Sequence, residues 1–145
     1  MVAPGGRAQD RVLRLDLLAE PLALLRLPAA GSIPEWTANA QHFLTVTRTP
    51  TEVSIVADAA ILPGDVVAER DYRAFRVHGP LPLHWVGIIA ALAVPLGKAA
   101  VPIFVIATYD TDYVLVRGAD VARAREALLG AGHQVVVPDS AGHDV

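Results

Sequence analysis

The residues best equipped for chemistry lie in one short stretch, Thr108-Tyr109-Asp110-Thr111-Asp112. Two carboxylates, two hydroxyls and a phenol fall within five positions, between apolar runs at 103–107 and 113–116. A carboxylate beside a core can hold an ammonium group through a charge-assisted hydrogen bond. The same residue types also close a hairpin, because Asp and Thr side chains bond nearby backbone groups. For acid–base catalysis, Asp110 and Asp112 would need a nucleophile or base partner, and none can be named. No catalytic residue is assigned. His42, His78, His84, His133 and His143 show no paired metal-ligand spacing, and each reads as a surface or internally satisfied histidine. G-x-S-x-G, P-loop and G-x-G-x-x-G patterns are absent. No metal site and no cofactor are expected.

The elements that must position this stretch follow from periodicity. The runs at 103–107 and 113–116 are rich in β-branched residues and predict two buried strands around the turn. Alternation at 11–18 and 71–78 predicts two more strands, with Phe75 and Val77 sharing one face of the second. Residues 22–27 read as a strand or a short helix. Strands are expected at 42–48 and 52–57, joined through Pro50, and a last one at 134–137. Single helical turns are expected after Ser32 and over 58–62, with Trp36 as a lid on the core. Trp85, Ile88, Ile89, Leu92 and Leu96 recur at helical spacing, which predicts a helix over 83–99 with Pro95 inside it. A second helix is expected over 120–129, with Val121, Ala124, Leu128 and Leu129 inward and Gly130 or Gly132 as its cap. Two helices on one face of an antiparallel sheet define an α+β, ferredoxin-like βαββαβ arrangement.

Composition narrows the function classes. The chain has 145 residues, 53% apolar and 19% charged, and a mean hydropathy of +0.42. That is enough apolar volume for a core and an interface, so a homodimer is expected. Net charge is −3, with no basic block, so nucleic acid is not an expected partner. The apolar run 86–96 is too short to span a bilayer, and the first ten residues lack a signal-peptide apolar region. The absence of cysteine fits a reducing, cytoplasmic setting. Neither a membrane nor a secretory route is expected.

The chain also repeats. Shifted by sixty positions, Val46–Val56 lies on Ile106–Val116, Thr51-Glu52 falls on Thr111-Asp112, and 12–18 falls on 72–78. This predicts two copies of one unit, the first with its helices reduced to single turns. The expected divisions are a flexible start at 1–10, a degenerate N-terminal unit at 11–70, a C-terminal unit at 71–137 and a polar tail at 138–145. Strand 71–78 can belong to either unit. Thr51 and Glu52 are candidates for a second, pseudo-symmetric site.

The stretch GPLPLHWVGIIAALAVPLGKAAVPIFVIATYDTDYVLV, residues 79–116, resembles the second half of small bacterial tandem ACT-domain proteins and of the related CASTOR-type arginine sensors. TVTRTPTEVSIVA, residues 45–57, is similar to the first half of that family, and TYDTDY is the most specific part of the likeness. The resemblance implies a non-catalytic regulatory protein that binds a free amino acid at the seam of two ACT units and signals to a protein partner. The rival reading is a ligand-free ACT dimerisation or interaction module. Carried over residue by residue, the implied ligand-binding residues are Val86, Gly87, Ile88 and Ile89 at the helix start and Thr108, Tyr109, Thr111 and Asp112 at the turn. Asp112 would hold the ligand ammonium. Backbone N–H groups near Gly87 would hold its carboxylate, and Tyr109 would wall the side-chain pocket. Trp85 and Val86 are bulky enough to fill that space.

Overall fold

The computed structural model describes residues 11–138. The expected flexible start, nearly all of the polar tail and His143 lie outside those residues. Eight strands and two α-helices form two compact units. Unit 1 takes the chain up to Ala19 and resumes at Ala74, and unit 2 is Glu20–Arg73.

Unit 2 contains β2 (Leu22–Leu27), β3 (Leu44–Arg48) and β4 (Val53–Asp58). It also contains the first part of β5 (Glu69–Val77). Its order is β3-β4-β2-β5, with each neighbouring pair antiparallel. Residues 22–27 are thus a strand, because Leu22, Ala23 and Leu25 bury their side chains in a sheet. Glu35–Asn39 and Ala59–Ile61 are single 3-10 turns. Ala23, Leu25, Val53, Ile55, Ala57 and Leu62 form the core, and Trp36 packs against it.

Unit 1 contains β1 (Arg14–Leu17), the end of β5, α1 (Ile88–Lys98), β6 (Phe104–Ala107), β7 (Asp112–Arg117), α2 (Val121–Gly130) and β8 (Gln134–Val136). β7 lies between β6 and β5, and β1 lies between β5 and β8. From β5 onward the connectivity is strand, helix, strand, strand, helix, strand, the ferredoxin-like pattern. β1 is an additional strand, antiparallel to β5 and parallel to β8. This corrects the division at residue 70, which put β1 in the N-terminal unit. Leu13, Leu15 and Leu17 are buried with Phe75, Val77, Ile88, Leu92, Leu96, Val114, Val116, Ala124 and Leu128 in the core of unit 1.

Three further expectations are corrected. The first helix begins at Ile88, not 83, because Gly87 adopts a left-handed φ of 84° that ends the preceding loop. Pro95 is accommodated inside α1. β6 is not a buried strand: it ends the strand order, and Phe104 and Val105 are 37% and 40% exposed. A continuous apolar run does not distinguish an edge strand from a central one. Leu129 is exposed rather than inward, and Gly132, at φ 95°, supplies the left-handed residue after α2.

Candidate functional site

The β6–β7 hairpin pairs Ala107 with Asp112, so four residues, Thr108–Thr111, form its loop. Thr108 closes it. Its N–H and Oγ1 both donate to the Thr111 carbonyl, at 2.8 and 3.1 Å, and its Oγ1 accepts the Thr111 N–H at 3.3 Å. Thr111 is buried, and its own Oγ1 donates to the Val77 carbonyl at the end of β5. The Leu81 N–H donates to the Asp110 carbonyl at 2.7 Å. A side chain at Gly79 would crowd Thr111 Cβ at 3.2 Å and Asp110 O at 3.3 Å. The loop after β5 is therefore fastened to the hairpin tip at several points.

That fastening leaves a cavity of about 380 Å³ between loop, helix start and turn. Gly87, Ile88 and Ile89 line it on one side, and Thr108, Tyr109, Thr111 and Asp112 on the other. Seven of the eight residues implied by the resemblance thus share one cavity. Val86 does not: it is 58% exposed and is not part of the lining. Trp85 lines the cavity without filling it, with its ring stacked under the Arg11 guanidinium at 4.0 Å. Sequence reasoning missed the contributions of Leu81, Pro82, Leu83, Ala90, Ala107 and Asp110. The Gly-Pro-Leu-Pro segment gives no local sign of where it docks, and the Leu81–Asp110 bond that helps bring it to the turn joins residues 29 positions apart. All lining residues belong to unit 1.

Two features give the cavity its chemistry. Among the described residues, the Asp112 carboxylate has no hydrogen-bond or ion-pair partner, and burial pushes its pKa up. Thr108, not Asp112, caps the turn. Opposite, α1 starts with no side-chain cap. Its first-turn N–H groups lack intrahelical acceptors and carry the positive end of the helix dipole. The arrangement offers a negative group and a positive backbone surface in one recess. That pairing suits a zwitterion.

The two hairpin turns are alike in pairing and in their threonine bonds, at an offset other than sixty. Arg48 pairs with Val53 as Ala107 pairs with Asp112, a shift of 107 − 48 = 59 and 112 − 53 = 59. Thr49 bonds Glu52 as Thr108 bonds Thr111. Glu52 is thus the counterpart of Thr111, and Val53 that of Asp112, which corrects the sixty-residue alignment. A carboxylate is missing from the equivalent position in unit 2.

Other polar clusters serve structure. His133 is buried, with Nδ1 accepting the Leu13 N–H at 3.1 Å and Nε2 3.1 Å from the Ala91 carbonyl. Asp58 is 4% exposed and accepts the N–H groups of Gln41, His42 and Phe43. Burial works to raise its pKa, but those three bonds outweigh it and hold the group below the ordinary carboxylate range. Asp16 is held low in the same sense: hydrogen bonds from His78 and Arg76 and the charge of Arg14 exceed the effect of burial. Among the described residues no cluster of His, Cys, Asp or Glu could hold a metal ion. No helix there is long and apolar enough to cross a membrane.

Residues 67–129 match the ACT domain. The crystal structure of Atu0741 from Agobacterium tumefaciens superposes with a TM-score of 0.81 at 31% identity, over 88% of this chain and 95% of that one. This chain belongs to the same family as Atu0741, and the ACT match covers its residues 67–129. The Vibrio cholerae protein VC0802, of unknown function and described as a possible transport protein, has a TM-score of 0.66 at 20% identity, over 82% and 89% of the two chains. Aspartate kinase from Clostridium acetobutylicum, an allosteric enzyme, has a TM-score of 0.63 at 13% identity, over 83% of this ACT-domain protein and 35% of the kinase. At those identities the likeness is one of fold. No curated protein matches the sequence significantly.

Proposed function

We propose that this ACT-domain protein is a non-catalytic regulatory module that binds a free amino acid in the cavity of unit 1. The observation that carries the reading is the pairing of an unpartnered, half-buried Asp112 carboxylate with the uncapped start of α1 across one recess. Asp112 takes the ligand ammonium, the N–H groups following Gly87 take its carboxylate, and Tyr109 stands at the mouth. Gly87 keeps that approach open because it has no side chain. The similarity of TYDTDY to the arginine sensors supports the same reading, as does the shared fold of an allosteric aspartate kinase.

Unit 2, with four strands and two single 3-10 turns, is read as a reduced ACT unit. The equivalent of Asp112 there is Val53, so the working site is placed in unit 1 alone. Binding relays to a protein partner by favouring one arrangement of the loop and turn over others, which requires different ligand affinity for the two states. A cytoplasmic homodimer is part of the proposal. The exposed Phe104 and Val105 on edge strand β6 support self-association, and they also favour the second reading, a ligand-free interaction module.

A thermal-shift screen of the full chain against the twenty amino acids separates the two. A ligand at a hundredfold excess over its Kd adds about 2.7 kcal/mol of stability. A selective rise in Tm supports the sensor, and a flat panel supports the interaction module.

A further inference from the structure

This inference rests on the reading of the cavity as an amino-acid site and concerns the side chain it accepts. The groups of the turn are mostly committed already. Thr108 Oγ1 serves the Thr111 N–H and carbonyl, Thr111 Oγ1 serves Val77, and the Asp110 carbonyl serves Leu81. What remains for a ligand side chain is the wall of Leu81, Pro82, Trp85, Ile88 and Ile89. Among the described residues no Lys or Arg lines the cavity. Its charged groups are Asp110 and Asp112, which stand two positions apart on one turn, with Asp110 out in solvent.

We propose that the cavity selects amino acids with an uncharged, apolar side chain, aliphatic or aromatic, over basic and acidic ones. An acidic side chain would add a fourth carboxylate, after Asp110, Asp112 and the ligand's own α-carboxylate, to a recess whose described lining has no side-chain cation. A basic side chain would find only the solvent-exposed Asp110 for its head group, a weakly stabilising pair, while its charge loses hydration beside the apolar wall. Asp112 is the single half-buried carboxylate, and the α-ammonium occupies it. An apolar side chain gains from burial, about fourfold in affinity per buried methylene. A volume of about 380 Å³ is within the range of small-molecule pockets and leaves room for a branched or aromatic side chain.

Calorimetric titration of the full chain with alanine, valine, leucine, phenylalanine, lysine, arginine and glutamate tests this. Affinity should rise from alanine to leucine or phenylalanine by about tenfold or more, and lysine, arginine and glutamate should bind at least about tenfold more weakly than leucine. Basic amino acids binding as tightly as leucine would overturn the selectivity while leaving the site itself standing. Equal affinities from alanine to leucine would do the same. If no amino acid binds at all, the selectivity and the underlying site both fail. Ile89→Thr keeps the branched shape and removes apolar surface. It should weaken leucine several-fold more than alanine, and an unchanged leucine-to-alanine ratio would count against the assigned wall.

Discussion

Replacing Asp112 by Asn separates a ligand group from a structural one. Burial raises the pKa of this carboxyl, and it has no partner among the described residues. The folded state then binds the proton more tightly than the unfolded state does. Stability therefore falls as pH rises through the window above the unfolded value of about 3.9. At neutral pH the ionised group is a mild burden on the ligand-free protein. Asp112→Asn removes the charge and keeps the shape, so its unliganded stability should equal or slightly exceed that of the wild type. Binding should move the other way. A charge-assisted hydrogen bond contributes about 1.5–3 kcal/mol, so the ligand Kd should rise by about tenfold to 150-fold. Urea unfolding without ligand and calorimetric titration with it give both numbers on one preparation. Unchanged affinity would refute the assignment. So would a loss of more than about 1 kcal/mol in the unliganded protein, because Asp112 would then be holding the turn.

Gly87→Val should abolish binding and cost about 2 kcal/mol in urea unfolding, since a β-branched residue is strained at a φ of 84°; normal binding would remove the helix start from the site. Thr111→Val leaves the Val77 carbonyl without its side-chain donor and should destabilise by about 1–3 kcal/mol, with ligand affinity falling as the turn loosens. Asp58→Ala frees three backbone N–H groups that the carboxylate holds and should cost about 2–3 kcal/mol at pH 7. Because the folded pKa of Asp58 is depressed, that contribution is present above about pH 3.9. It should disappear as pH falls below that value through the folded pKa, so the wild-type and variant stability curves converge in acid. Light scattering should give a dimer mass, reduced to a monomer by Val105→Lys on the exposed edge of β6; a monomeric wild type would remove the dimer.

The strands around Asp112 were legible because period-two patterns and β-branched runs follow from the pleat itself. The turn was legible as polar chemistry beside core. Its capping group was not legible, since Thr108 and Asp112 are equally plausible caps by type. Trp85 extended the apparent helix backwards because it packs on the core from a loop at a spacing that happens to match a helix. Gly87, with its left-handed conformation, marks the true boundary. The membership of β1 in unit 1 depends on pairings with β5 and β8 that lie some sixty and 120 positions away, and no local signal encodes them. Asp58 holding residues 41–43 is non-local in the same way. The offset between the two turns could have been read from Thr49 and Thr108, which each cap their own turn and stand 59 apart.

The most direct measurement is a titration of the isotope-labelled protein with leucine, followed by nitrogen–proton correlation spectra. Binding in the unit 1 cavity predicts shifts at 81–90 and 107–112 that are lost in Asp112→Asn, with residues 49–53 of unit 2 unmoved. Shifts confined to unit 2, or none with any amino acid that raises Tm, would contradict it.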